Sequence, residues 1–454
     1  MGVEETFKVR PKRKTKTRIL KSVSALAVVV IVLVVFVVPA FVSSEMGRKI
    51  ILAEINNSID GEVDFAGLSL SWWKGVRVTD VSFNDSAGQI SIQVKQITTK
   101  PHYGSILRGS LSFGETEIFE PRVEINLAPP SARPLQRPRR EKAAAKKSRP
   151  IALPIKRIEV IVKDGNLKVT GRGGETAEVA GINSTLAILP LSISSGKVEF
   201  AKADYFGFHF GPTEADVQIE NGLLKIAPFS TTVNNGQLNF AGEANFKQKP
   251  TLLRTPGPIQ IVKDVQLNDE VARELLTYLN PVFANAVKVS GVANFDCERL
   301  AIPLARAAKN DIEVIGTISI RQLRLEASDL LGQILSAAGV SQQGVDITIR
   351  PTRFILQNGF LRYDDMQMDI GDNPVNFSGV IGLDKSLNMT VTLPYTTAGR
   401  TARVGKEVEG VRISLPLRGT IDKPKLYLGK LLEGQLKQQL RERLREELKG
   451  VLKK

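Results

Sequence analysis

Four times this chain sets an Asx-Gly pair between stretches of alternating apolar residues: VKDGNLKV from Val162, IENGLLKI from Ile219, VNNGQLNF from Val233 and LQNGFLRY from Leu356. Asn-Gly and Asp-Gly accept positive φ at both central positions of a type I′ turn, so each copy predicts a β-hairpin. IDGEVDF from Ile59 is a looser copy. The spacing is irregular, which excludes a propeller of fixed blade length. Antiparallel strands joined in sequence follow from this pattern.

Alternation with a period of two supports the same reading. Ile90, Ile92 and Val94 alternate with polar residues, as do Leu387, Met389, Val391 and Leu393, and Val411, Ile413, Leu415 and Leu417. In LSLSWWKGVRVTDVSFND, from Leu68 to Asp85, Val76 and Val78 are followed by Val81 and Phe83 in the opposite phase. That slip predicts a β-bulge at Thr79-Asp80. Few stretches suit helices. Met46 to Ile59 is one, and Ser328 to Ala338 is another. A third covers residues 269–286, with Asn268 as N-cap and a break at Asn280-Pro281.

Ser22 to Ser44 carries no charge and is centred on ALAVVVIVLVVFVV. About 20 apolar residues span a bilayer as a helix. Lys8, Arg10, Lys12, Arg13, Lys14, Lys16, Arg18 and Lys21 precede it, against Glu4 and Glu5 alone. The positive-inside rule puts that tail in the cytoplasm and the body across the membrane. The apolar run is long for a signal peptide, and VVPAFVSSEM offers a poor cleavage site, so an uncleaved anchor is expected.

The formal charge is +15. Much of the excess sits outside the strand-rich body: in the tail, in PPSARPLQRPRREKAAAKKSRP from Pro129 to Pro150, and in the last 25 residues. A chain that enters a membrane this early is not expected to bind nucleic acid, and the Pro129 stretch reads as an exposed basic linker. Leu428 to Lys454 carries leucines at 428, 432, 436, 440, 444, 448 and 452. Steps of four wind this stripe slowly around an amphipathic helix. Leu432, Leu436, Leu440, Leu444, Leu448 and Leu452 are thus candidates to meet a membrane or a partner helix, or to cap the sheet.

Chemistry-bearing residues are scarce. Cys297 is the only cysteine, and His102 and His209 are the only histidines. His209 alternates with aromatics in YFGFHF from Tyr205, which places it on the polar face of a strand. The chain lacks a P-loop, a nucleophile elbow and a zinc-protease motif. GRGGE at Gly171 reads as a turn. YDDMQMDIGDNP gathers Asp364, Asp365, Asp369 and Asp372 without the spacing of a calcium loop, and reads as a strand ending in a turn. No catalytic, cofactor or metal site is expected, and the chain reads as a non-enzyme.

The domain expectation is therefore a basic tail (1–21), an anchor (22–44), a first β segment with a short leading helix (45–128), the linker (129–150), a main antiparallel sheet (151–427) and the terminal helix (428–454). LSWWKGV from Leu70 to Val76 overlaps the opening of this plan. Leu107 to Val123, within GSILRGSLSFGETEIFEPRVEI, and Gly419 to Leu426, within VRISLPLRGTIDKPKLYL, complete it. In this order the motifs resemble the AsmA-like family of bacterial envelope proteins, over most of the chain after Gly61. The basic linker departs from the family pattern.

The resemblance implies an inner-membrane-anchored, periplasm-facing protein with an elongated, curled antiparallel sheet and an apolar groove, related to bridge-like lipid-transfer proteins. It further implies a role in moving phospholipid or another acyl lipid toward the outer membrane, and so in outer-membrane biogenesis and integrity, with an outer-membrane or envelope protein as a possible partner. The strands whose apolar residues share a parity, carrying Leu387, Met389, Val391, Leu393, Val411, Ile413, Leu415 and Leu417, are the expected groove lining. Physics alone leaves two covers for the apolar face, lipid or a second sheet. The second corresponds to another function: a structural or assembly factor for envelope or secretion proteins, acting through its sheet edge and terminal helix. Protease added to spheroplasts checks the topology: the body is digested while the inner membrane is intact and Met1 to Lys21 is protected.

Overall fold

A computed structural model of the protein describes residues 38–106, 113–127, 158–171, 174–188, 193–284, 286–304, 310–326, 329–337, 347–371, 373–394 and 412–427. The fold is mainly β. The chain divides into two compact units, Met1–Lys163 and Asp164–Lys454, and the division falls inside one strand.

The first unit opens with helices α1 (Val38–Val42) and α2 (Glu45–Ser58). Strands β1 (Gly61–Ser71), β2 (Gly75–Asp85) and β3 (Ile90–Pro101) follow, then the short helix α3 (Tyr103–Ile106). Strands β4 (Phe113–Phe119) and β5 (Arg122–Asn126) both pair with β3, as two halves of one strand broken at Glu120-Pro121. Strand β6 (Ile158–Thr170) pairs with β4 in parallel. The sequence led us to expect antiparallel neighbours throughout. A parallel pair needs a crossover of a dozen or more residues, and the stretch between Asn126 and Ile158 is long enough to supply it.

Helix α2 lies on the open edge of β1. Asn56 accepts from the Val63 N–H at 2.7 Å and donates to the Val63 carbonyl at 2.9 Å. Arg48 donates to the Ala66 carbonyl at 3.0 Å. These bonds blunt an edge that would otherwise recruit another strand.

The second unit is a meander. Its strands are β7 (Thr176–Ile188), β8 (Ile193–Phe200), β9 (Lys202–Tyr205), β10 (Phe208–Phe210), β11 (Thr213–Glu220), β12 (Leu223–Val233), β13 (Gly236–Asn245), β14 (Leu252–Arg254) and β15 (Ile259–Leu267). A helical segment, α4, then runs as an α turn (Asp269–Val271), a π turn (Ala272–Leu276) and an α turn (Thr277–Leu279), with a 3-10 turn at Pro281–Phe283 after it. Strands β16 (Val287–Pro303) and β17 (Glu313–Glu326), helix α5 (Asp329–Ala337), and β18 (Ile347–Gln357), β19 (Phe360–Ile370), β20 (Asn373–Gly382), β21 (Ser386–Pro394), β22 (Arg412–Thr420) and β23 (Lys423–Leu426) complete it. From β15 onward each strand pairs antiparallel with the next.

Three of the four Asx-Gly copies form hairpins. Asn221-Gly222 and Asn358-Gly359 have φ of 50° and 79°, and 52° and 79°. In VNNGQLNF the turn is Asn234-Asn235 and Gly236 begins β13. The fourth copy is not a hairpin. Asp164 has φ 53°, Gly165 is not left-handed, and β6 runs on through both. A two-residue turn of this type needs both residues at positive φ, so one alone only kinks the strand. The Ile59 copy joins α2 to β1 instead of two strands. One hairpin escaped the sequence reading: Phe206-Gly207, at φ 49° and 74°, turns β9 into β10 within YFGFHF. His209 is nonetheless exposed on its strand, with Nδ1 2.6 Å from the Asp204 carboxylate.

The slip at Thr79-Asp80 is also a kink without an inserted residue. Asp80 has φ 51°, yet pairing on both sides keeps its register: Phe65↔Val81 and Gly67↔Thr79 with β1, Thr79↔Gln96 and Val81↔Val94 with β3. All three strands change phase on the same line, so the apolar side chains stay on one face. The device recurs. An apolar residue, one spacer, a left-handed acidic or amide residue, and apolar or turn-forming residues one and three places on mark Asp80, Glu120, Asp164, Asp264 and Gln322. Their φ values are 51°, 47°, 53°, 51° and 52°. Asp tolerates this region better than most residues. The displaced N–H finds a partner nearby: Asp164 donates to Asn183 at 3.1 Å and Asp264 to Asn294 at 2.9 Å.

The main core of the second unit lies over β16–β22. Leu387, Met389, Val391, Leu393, Ile413, Leu415 and Leu417 are each 5% exposed or less, in one cluster with Val271, Leu276, Val282 and Phe283 of the α4 region and Leu330 and Ile334 of α5. The expected parity is present, but protein covers these side chains. They form a core, where an open lipid-lining surface was expected. Val411 lies outside the described residues, as do nearly all of the anchor, the basic linker, and the terminal helix with its leucines. Among the described residues no helix is long and apolar enough to cross a membrane.

A carboxylate introduced into this core has neither water nor a partner. Val391→Asp and Leu415→Asp, at side chains with no exposed surface, are expected to destabilise the second unit by more than about 4 kcal/mol. Thermal melting and soluble yield measure this. Normal melting of both variants would show that the face is open to solvent.

Candidate functional site

The open apolar surface of the second unit begins where its core ends. Rows of paired residues cross β15–β20 on one face. One row is Val262, Phe295 and Ile318; another is Val314, Leu356, Leu361 and Ile381. Phe295 and Phe354 stack with ring centres 5.6 Å apart, tilted by 21°. These residues form the floor of a cleft of about 550 Å³, and Leu275, Leu276, Tyr278 and Leu279 of α4 form its wall. Glu274 and Asn294 bring the only charge and the only side-chain amide to a lining otherwise aliphatic and aromatic, apart from the Tyr278 hydroxyl.

Helix α4 is short, interrupted, and fixed by side chains at both ends. Asn268 caps it, accepting from the Val271 N–H at 2.9 Å while its amide donates to the Gly207 carbonyl at 2.8 Å. Asn280 is fully buried at the Asn280-Pro281 break. It accepts from the Val282 N–H at 2.9 Å and sets its amide 3.4 Å from the Met366 sulfur. Thr277 donates to the Ala272 and Arg273 carbonyls at 3.1 and 3.0 Å, across the wider π turn. The side of α4 that bears Val271, Ala272 and Leu276 is buried, whereas Leu275 is 51% exposed at the rim of the cleft.

The rim is charged where the interior is not. Gly382 and Leu383 line the cleft, and Lys385, in the same turn, pairs with Asp422 at 2.8 Å. The hydrogen bond to Asp422, that group's charge, and smaller contributions from Tyr278 and Glu274 hold the Lys385 ammonium above its ordinary pKa. An apolar cavity with charge only at its mouth suits an amphiphile whose head stays in water.

A second apolar face belongs to the first unit. Leu68, Val78, Ile97, Ile118 and Val162 pair directly across five strands and are half-buried. Among the described residues no equivalent of the β16–β22 core encloses them.

The polar groups flagged in the sequence that lie among the described residues have the following partners. Asp369 binds Arg350 and Gln367 at 2.6 and 2.7 Å, Asp365 binds Asn376, and Asp364 points to solvent, all on β19. Asp372 lies outside the described residues. Cys297 is buried, which pushes its thiol pKa up and leaves it unreactive. Among the described residues no group of His, Cys, Asp or Glu has the arrangement of a metal site. No family model matches the chain, and no curated protein or solved structure shows significant similarity to it.

The sequence reading missed this cleft because its floor comes from strands with uneven alternation. The register of β15 against β16 shifts twice and that of β16 against β17 three times. The signal available was α4 itself, an amphipathic segment set between two strands that pair directly with each other. Replacing Asn268 with Ala removes its cap and its tie to Gly207, and is expected to cost about 1–2 kcal/mol. Hydrogen exchange should show the loss first in residues 269–279. Unchanged protection there would mean that packing alone holds α4 in place.

Proposed function

We propose that the protein is an inner-membrane-anchored, periplasm-facing member of the AsmA-like group that holds acyl lipid on the apolar face of its sheet, and so supports phospholipid movement toward the outer membrane. The observation that carries this reading is the cleft beside α4: about 550 Å³, apolar within, charged at the rim and open to water. Its volume falls in the range of small-ligand sites, and its lining is apolar apart from Glu274, Asn294 and the Tyr278 hydroxyl. An acyl chain needs no directional partner, only apolar surface to displace water from.

The apolar run from Ser22 to Ser44 supports the anchor, and the basic residues before it support the orientation. The motif order from Leu70 to Leu426 supports the family. Transport along such a surface needs no motor in this chain. Direction then comes from a lipid gradient or a partner protein.

Organic extraction of the purified full-length protein, followed by mass spectrometry, tests the reading. Phospholipid is expected above the level of a detergent-matched control. Val262→Asp and Leu356→Asp, at half-buried positions on the cleft floor, should lower it several-fold while the melting temperature moves by only a few degrees. Lipid-free extracts from the parent protein would sink the proposal and favour an assembly factor with a protein-covered sheet.

A further inference from the structure

The turn between β1 and β2 is Trp72-Trp73-Lys74, and it holds both tryptophans of the chain. It is a built turn. Ser71 pairs with Gly75, and the Lys74 N–H donates to the Ser71 hydroxyl at 3.2 Å. The Tyr103 hydroxyl donates to the Ser71 carbonyl at 3.0 Å, and the Tyr103 ring meets Trp72 edge-on at 4.7 Å. Gly75 has φ 84°, and a Cβ there would lie 2.2 Å from the Thr99 carbonyl oxygen, so neither its conformation nor its packing accepts another residue. All of this order leaves Trp73 79% exposed, the most exposed large apolar side chain among the described residues. Little of its apolar surface is covered by the fold.

Its position in the chain supplies a reason. The Leu70 N–H, three residues before Trp73, donates to the Ser43 hydroxyl at 2.9 Å. Ser43 lies at the very end of the uncharged run from Ser22 to Ser44, directly after α1, on which Phe41 is 47% exposed. Gly47 lets the start of α2 close against α1: a Cβ there would lie 2.2 Å from the Phe41 carbonyl oxygen. The Trp turn is therefore tied to the residue at which the apolar run stops. Tryptophan is enriched at the level of lipid headgroups, because its ring is apolar and its N–H needs a polar partner. Lys74 beside it can lie along the ring layer with its ammonium among phosphates.

We infer that the Trp72-Trp73-Lys74 turn is a second membrane contact, which seats β1 and β2 in the headgroup layer of the same bilayer that takes the anchor. The inference rests on the reading of Ser22 to Ser44 as that anchor. It fixes the start of the sheet at the membrane surface, where an acyl lipid would pass between bilayer and strands.

The chain's own fluorescence tests this, since no other tryptophan contributes. The full-length protein is reconstituted into phosphatidylcholine vesicles, with and without lipids brominated near the carbonyl end of the acyl chain, and flotation is measured on the same samples. Parent emission is expected to fall by roughly half in the brominated vesicles, as for a ring at headgroup level. Trp73→Phe, at a position the fold does not use, should lose most of that quenching. Flotation with emission that is insensitive to bromine and quenched by aqueous iodide overturns the inference alone. Blue-shifted emission without bromine quenching, the mark of a ring packed on protein, also overturns it. Failure to float overturns both the anchor and the inference.

Discussion

Strand after strand in this chain turns every second side chain, apolar, toward one face, and water does not tolerate such a face uncovered. The rest of the structure responds to that demand. In the second unit, residues of α4 and α5 share one core with β16–β22, in which Val391 and Leu415 are completely buried. These two elements are short, and the face they serve is wider than they are. Where the cover of α4 ends, between Leu275 and the Phe295–Phe354 stack, the cleft opens. In the first unit the row from Leu68 to Val162 stays half-buried across five strands. Among the described residues, the limited helical cover is thus the physical origin of the site.

Keeping the apolar residues on one face over long strands is a separate problem, because strand twist accumulates. The left-handed residues at Asp80 and Asp164 let a strand change phase and continue, Glu120 marks the break between β4 and β5, and Asp264 and Gln322 lie where the pairing register shifts. In the first unit their flanking charges join across strands: Lys95 pairs with Glu120 at 2.5 Å, and Lys163 with Glu117 at 2.6 Å while its ammonium sits 5.0 Å over the Phe119 ring. Polar side chains that face water on the kink line satisfy what the kink disturbs, and the opposite face remains apolar.

Much of this was legible in the sequence, for local reasons. Alternation named the strands, and the Asn-Gly pairs at 221 and 358 named their turns, because turn chemistry acts within a few residues. Asn268 and Asn280-Pro281 marked the ends of α4 for the same reason. Asp164-Gly165 misled because the pair tolerates a hairpin without requiring one, and β6 finds partners on both sides of the kink. The lipid-facing surface was placed on β21 and β22 because the apolar residues of each share a parity. A shared parity reports only that one side is buried. What buries it depends on where α4 and α5 fall, tens of residues away in sequence, and no local pattern carries that information.

If the face holds lipid as proposed, its extent would also set the strength of holding. Each buried methylene contributes roughly 0.8 kcal/mol, so ten of them gain about 8 kcal/mol, equivalent to a dissociation constant near 1 μM before ordering costs. That range suits a carrier. A chain held much more tightly would not leave, and one held much more weakly would not be drawn from a bilayer in which its methylenes are already out of water. On that reading, lipid entering the cleft would gain little over the membrane it left, and the exchange would be close to balanced. On the same reading, Glu274 in the lining and the nearby Lys385–Asp422 pair would keep the headgroup hydrated while the chain moves from one apolar surface to another.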